Sequence, residues 1–206
     1  MAWDFSTEPE FEAQLEWMRA FVREHGLWAA HLDPELGGQG FGQVKLGLMH
    51  EILGSSPIAP LVFGNAAPDS GNSEILALAG TAEQKERYLH PLLAGDLKSG
   101  FSMTEPETAG SDPTLLATRA VPDGDGWVID GHKWFTSNGS IADFLIVMAV
   151  TNPEARASQR ASMFLVPTDT PGVEILRDVP TMEHPWALRS ELMCPDAQPV
   201  SSTRLL

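Results

Sequence analysis

Two stretches of this 206-residue chain carry residue types that could do chemistry: FSMTEPETAGSD at 101–112 and GHKWFTSNG at 131–139. In the first, Thr104 is expected at a strand end and Pro106 fixes the backbone after Glu105. Gly110 lets the chain approach a ligand closely, and Ser111 offers both a hydroxyl and an amide. Such a loop can hold a pyrophosphate by backbone N–H groups without any lysine. A polar β-turn organised by Asp112 explains the same Gly-Ser-Asp residues, and the residues alone leave both readings open. In the second stretch, Trp134 to Ser137 would alternate aromatic and hydroxyl side chains, so that one strand face lines a flat ring. Core packing is the commoner use of such aromatics. Glu105 is the carboxylate in this constellation to weigh as a base. Beside a proline and with no evident partner, it reads as a turn-stabilising group rather than a general base.

The remaining chemical candidates are weaker. GGQGFG at 37–42 has glycines at alternate positions rather than the GxGxxG spacing, and it follows a helix-like segment instead of a strand. It is expected to connect helices. The histidines are scattered (25, 31, 50, 90, 132 and 184), with no HExxH or close pair, and Cys194 is the single cysteine. No metal site and no internal disulfide are expected.

The elements that must position these residues change type along the chain. Thr7 with Glu10 fits a capping box, and Phe11, Leu15, Met18, Phe21 and Val22 recur at helical steps, predicting an amphipathic helix that buries one stripe. Further helices are predicted over 43–53 and 70–79. Another begins at Thr81, capped with Gln84 and supported by a Glu83/Arg87 pair. From Ser99 the period shortens. Residues 118–137 show two runs divided by Asp-Gly turns, at DGDG and at Asp130-Gly131. ADFLIVMAVT, SMFLVPTD and GVEILRDV then read as antiparallel strands. The fold class is therefore α+β: a helical domain over 1–98, then an antiparallel β-barrel or sandwich-like domain over 99–206.

Charge narrows the partners. Twenty-eight acids against thirteen bases leave a formal charge of −15, which disfavours nucleic acid and anionic membrane surfaces. The longest apolar run, 144–150, is far too short for a bilayer, and no basic-then-apolar leader opens the chain. A cytoplasmic setting is expected.

The series FSMTEP, GSD, GWVIDGHKWFTSNG, ADFLIVMAVT and FLVPTDTPGV, in this order and at these separations, resembles the acyl-CoA dehydrogenases. HLDPELGGQGFG and GTAEQKERYLHPLLAGDLKSG extend the resemblance over nearly the whole chain. It implies FAD lying against the β-domain. By position, Phe101, Met103 and Thr104 would contact the flavin ring, while Gly110 and Ser111 would meet the pyrophosphate or the acyl-CoA thioester region. Phe135, Thr136 and Ser137 form the second cofactor-facing stretch. In it, Phe135 stands where the family often has tryptophan, and Ser137 where a threonine commonly bonds near flavin N5. The loop is one residue longer than the commonest TEPxxGSD form. The helical domain looks shortened, ELMCPDAQPVSSTRLL looks like a degraded closing strand, and the family's C-terminal helical bundle has no counterpart here.

In the family that bundle supplies the carboxylate base, so no catalytic residue is assigned within this chain. The expectation is a truncated acyl-CoA dehydrogenase with little or no activity alone. Its full-length counterpart would desaturate an acyl-CoA thioester and pass electrons to an electron-transferring flavoprotein. Two alternatives remain: a flavin-dependent oxidase or hydroxylase on the same fold, and a non-catalytic flavin- or CoA-binding module. Such a module could pair as a homo-oligomer or with a separate helical-bundle chain.

Overall fold

The computed structural model describes residues 8–36, 38–181 and 189–194. The chain clusters into two units, Met1–Ser70 and Gly71–Leu206.

In the first unit, α1 (Pro9–Glu24) starts with Pro9 in its first turn, where a missing N–H costs nothing. Thr7, half of the expected capping box, lies outside the described residues, and Glu8 at the N-cap makes no side-chain cap bond. The helix forms where its period predicts, but the expected stripe is buried only in part, with Leu15 and Met18 half-buried. Only Val22 is enclosed, while Phe11 and Phe21 stand exposed. Periodicity specifies a helix with an apolar face; it cannot specify what covers that face. Residues 38–41 lead into α2 (Gly42–Leu53), and α3 (Ala59–Val62) follows. Along α2, Val44, Leu48 and Ile52 share one face and are 80%, 62% and 74% exposed.

In the second unit, α4 (Asp69–Ala79) precedes a helical stretch capped as predicted. Gln84 N–H donates to Thr81 Oγ1 at 3.2 Å, and Thr81 N–H donates to Gln84 Oε1 at 2.8 Å. That stretch runs from α5 (Ala82–Gln84) through a π-helical turn (Lys85–Leu89) into α6 (His90–Ala94). Pro91 accounts for the wide turn, because its ring crowds the carbonyl four residues back. The helical contact found here is between the Glu86 carboxylate and His90 Nε2 at 3.4 Å, while Arg87 lies over the Tyr88 ring at 5.1 Å. Tyr88 also packs on Phe144, and Asn72 Nδ2 donates to Ser99 Oγ at 2.8 Å, tying helices to the sheet.

The fold class is as expected, helices followed by a β-domain, but the sheet is mixed rather than antiparallel as the sequence suggested. Its strands are β1 (Ser99–Ser102), β2 (Arg119–Asp123), β3 (Gly126–Ser137), β4 (Phe144–Val150), β5 (Ala161–Pro167), β6 (Glu174–Asp178) and β7 (Arg189–Cys194). β6 pairs β7, β7 pairs β3, and β5 pairs β4, all antiparallel. Between β3 and β4 lies a single row shared by two short strands. β1 occupies one end of the row, pairing Phe101 with Ser137 and running parallel to β4 from Ser99↔Phe144. β2 occupies the other end, antiparallel to β3 and parallel to β4 at Arg119↔Val150. The parallel pairings arise because the chain leaves the row after β1 and rejoins it at β2 in the same direction.

DGDG makes the β2–β3 hairpin, with Asp123 opposite Gly126. The second Asp-Gly expectation is overturned: Asp130-Gly131 lies inside β3. Gly131 is needed for a different reason. A Cβ there would come within 2.3 Å of Thr118 Oγ1, so the glycine admits the neighbouring strand rather than turning the chain. The core on the sheet gathers Ile129, Leu145, Val147, Phe164, Val166 and Leu192, with the Trp127 ring 5.3 Å from that of Phe164.

Candidate functional site

Loop 105–117 is the excursion between the two halves of that shared row. Before it, the Thr104 carbonyl still accepts from Trp134 N–H at 2.8 Å; after it, the Thr118 carbonyl accepts from Val150 N–H at 2.8 Å. Glu105 spans the gap. Its Oε2 accepts from Ala117 N–H at 2.7 Å, and its Oε1 accepts from Thr118 N–H at 2.9 Å and Lys133 Nζ at 2.8 Å. Lys133, only 1% exposed, also donates to the Met103 carbonyl at 3.0 Å. Burial by itself would raise the Glu105 pKa, but the bonds from Lys133, Thr118 and Ala117 outweigh it and hold the carboxyl below its ordinary value. Burial pushes the Lys133 pKa down against the pull of Glu105.

The absence of an evident partner for Glu105 is thus corrected. Its partner sits 28 residues away on β3. Sequence reasoning missed Lys133, and the available signal was a lysine beside aromatic residues in a strand expected to pair next to the Thr104-Glu105 turn. The Glu105 carboxylate already accepts three hydrogen bonds, which leaves it without the free geometry of a proton acceptor.

The alternation expected over 134–137 is broken by a β-bulge. Lys133 faces Leu192 and Thr136 faces Ser190, so Trp134 and Phe135 together oppose one residue of β7. Their rings stack, with centroids 5.2 Å apart and planes 17° apart. Phe135 pays for this with φ at +56°, in the left-handed region that bulky residues rarely occupy, and its side chain stays 40% exposed. A strained aromatic half in solvent contributes little to a core.

Beyond the bulge the faces sort again. Thr136 is fully buried on the Lys133 side, its hydroxyl bonded to Ser102 Oγ at 2.9 Å. Ser137 lies on the opposite side, in register with half-buried Phe101. The structure therefore brings Phe101, Phe135 and Ser137 to one side of β1–β3, beside half-buried Met103 and Thr104 at the strand's end. Gly110 folds back onto Thr104, where a Cβ would meet Thr104 Cγ2 at 2.8 Å. Ser111 is exposed next to it, and the Asp112 carboxylate accepts from Thr114 N–H at 3.0 Å and Thr114 Oγ1 at 2.6 Å, organising the turn.

Two observations bear on whether a flat, amphipathic group suits this patch. The Trp134 indole N–H is buried without a partner, a donor that a native structure normally satisfies. The half-open Phe101–Met103–Phe135 surface offers apolar contact, and the absence of a side chain at Gly110 lets the loop pack directly on Thr104 beside it. Both fit a flavin. Among the described residues, no group of three or more His, Cys, Asp or Glu side chains could hold a metal ion, and no helix is long and apolar enough to cross a membrane. Cys194 is buried on β7, which pushes its thiol up to about 11.

A helical segment followed by a mixed sheet with this interrupted central row makes a two-part α+β fold. The family profile described as "Acyl-CoA dehydrogenase, N-terminal domain" matches residues 1–96, and that described as "Acyl-CoA dehydrogenase, middle domain" matches residues 100–191. The chain belongs to the acyl-CoA dehydrogenase family.

Among curated relatives, "Probable acyl-CoA dehydrogenase FadE2" of Mycobacterium tuberculosis is 43% identical over 169 residues, covering 81% of this chain and 41% of that protein. "Acyl-CoA dehydrogenase family member 11" of Mus musculus is 39% identical over 166 residues, covering 79% of this chain and 21% of that one. A solved Mycobacterium abscessus protein assigned as an acyl-CoA dehydrogenase superposes with a TM-score of 0.85 at 39% identity, over 96% of this chain and 50% of its own. Glutaryl-CoA dehydrogenase of Mycobacterium smegmatis, solved in complex with FADH2, superposes with a TM-score of 0.70 at 29% identity, over 98% of this chain and 52% of its own. This chain thus spans half or less of the FadE2, family member 11 and Mycobacterium abscessus relatives.

Proposed function

We propose that this chain supplies the flavin-facing part of an acyl-CoA dehydrogenase, with a helical domain over 1–98 and an FAD-facing β-domain over 99–206. When bound, FAD supplies the hydride acceptor for desaturation of an acyl-CoA thioester at Cα–Cβ. Phe101, Met103 and Phe135 present the apolar surface for the ring. The Thr104 and Ser137 hydroxyls and the Trp134 indole N–H offer polar contacts at its edge. Thr136 acts from behind, holding β3 to Ser102. Gly110 and Ser111 offer backbone donors to a pyrophosphate or to the thioester region.

The observation that carries this reading is Phe135, held at a strained φ by a bulge and left half in solvent next to Phe101 and Ser137. Strain of about 1–3 kcal/mol at a site that buries little is better explained by a ligand than by stability. Glu105 is committed to Lys133 and two amides, so the base that removes the α-proton comes from outside these residues. A base contributes about 10²–10⁴-fold to such a step, and this chain alone is accordingly close to inactive. Electron-transferring flavoprotein is the acceptor proposed for the complete enzyme.

The test is the visible spectrum of the purified chain after incubation with FAD and removal of the excess. A retained, shifted flavin band is expected, weakened in Phe135→Ala. A folded chain that retains no flavin would refute binding by this half of the site, and acyl-CoA turnover by the chain alone would refute its inactivity.

A further inference from the structure

The buried Glu105–Lys133 pair lies outside the surface assigned to the cofactor, yet it touches the backbone on both sides of loop 105–117. Lys133 Nζ holds the Met103 carbonyl at 3.0 Å, at the end of β1. The Glu105 carboxylate holds the amides of Ala117 and Thr118, twelve and thirteen residues on, where β2 is about to begin. Both side chains are almost wholly enclosed, at 2% and 3% exposure. We infer that this pair is a positioning device: it closes the loop at its neck and fixes the Met103–Thr104 backbone, so that the cofactor-facing groups and Gly110 hold one arrangement.

Three physical points support a positioning role over a merely cohesive one. A buried ion pair is a poor way to add stability, because desolvation cancels much of the attraction, and an apolar pair of similar volume does as well or better. What an ion pair adds is direction. A lysine ammonium has three donors and a carboxylate can accept several bonds, so two side chains can fix a carbonyl and two amides at defined places. Elsewhere the loop is held lightly: Arg160 reaches the Thr114 carbonyl at a long 3.3 Å, and the bonds of Asp112 stay within the loop, to Ala109, Thr114 and Leu115. The neck is where the loop's closure entropy is met. Gly110 lies against Thr104, one residue from Glu105, so movement of the neck moves the proposed phosphate cradle with it.

The inference rests on the flavin reading for its functional consequence, but its structural claim can be tested without any cofactor. Three variants of the full chain are compared with wild type: Lys133→Met, Glu105→Gln, and the double variant Glu105→Leu/Lys133→Met. The double change replaces the pair by apolar groups and is expected to recover the part of the thermal stability that each single variant loses by leaving a buried charge unpaired.

Hydrogen exchange is read for peptides covering 101–118, with peptides covering 144–150 and 161–167 as internal references. FAD affinity is read by quenching of flavin fluorescence. In the double variant, exchange over 101–118 is expected to rise roughly tenfold or more, the loss that one charge-assisted hydrogen bond represents. The reference strands should stay protected, and FAD affinity should fall by a similar factor. A double variant that recovers stability together with wild-type exchange and affinity would overturn the proposal, leaving the pair a cohesive contact only. If wild type takes up no FAD, the flavin reading fails, and the exchange ratio alone decides whether the pair positions the loop.

Discussion

Replacing Gly131 with alanine puts a methyl group where Thr118 already sits. The added Cβ would lie 2.3 Å from Thr118 Oγ1 and 2.6 Å from both Thr118 Cβ and Cγ2, against about 3.5–4.0 Å for comfortable carbon contacts. Thr118 has little room to yield. It is 2% exposed, its N–H is bonded to Glu105, and its carbonyl accepts from Val150. Overpacking at such a site costs about 1–3 kcal/mol, or roughly 2–12 °C in Tm for a chain of this size. Gly47, inside α2, supplies the control, because nothing lies within 4 Å of its added Cβ. There alanine should stabilise the protein by about 0.5–1 kcal/mol through helix propensity. Urea unfolding followed by tryptophan fluorescence reads both variants, with unchanged m-values expected. If Gly131→Ala is as stable as wild type, the close approach of the two strands is not what that glycine serves, and the account of the loop neck beside it loses its footing.

Thr136→Val keeps the shape of the side chain but strands Ser102 Oγ in a dry site. It should cost about 1–3 kcal/mol in the same assay. The Glu105 carboxyl lies below its ordinary 4.5 in the folded chain, so its contribution is fully present above that pH and is lost as pH falls through the folded value. Glu105→Gln should therefore be about 3–5 kcal/mol less stable than wild type at neutral pH, with a buried lysine unpaired. That gap should narrow in acid unfolding series below pH 4.5; a gap independent of pH would contradict the role given to the pair. Leu48→Gln on the exposed face of α2 should leave stability within about 0.5 kcal/mol while lowering binding of a hydrophobic dye. A large loss of stability would mean that the face is covered.

What the sequence by itself determined about this protein is its local order. The Thr81–Gln84 cap, the helix over 43–53, the DGDG hairpin and the strands of 144–150 and 161–167 each depend on residues within a turn or a pleat of one another. Their pattern was legible without the fold. The linked FSMTEP, GSD and KWFTS segments were legible as a candidate site for the same reason, since each is a local signature. Only the tertiary structure decided which neighbours these segments meet. Asp130-Gly131 has the local look of a turn, but the strand runs through it because Thr118 packs where a side chain would be. Trp134 and Phe135 lose their alternation to a bulge set by pairing with β7. Lys133 is chargeable and would be placed at the surface by composition, yet it is buried because a carboxylate 28 residues away and the Met103 carbonyl meet it there. Cap and strand energies are set by bonds between near neighbours, whereas the burial of a charge is decided by partners that only the folded sheet brings within 3 Å of it.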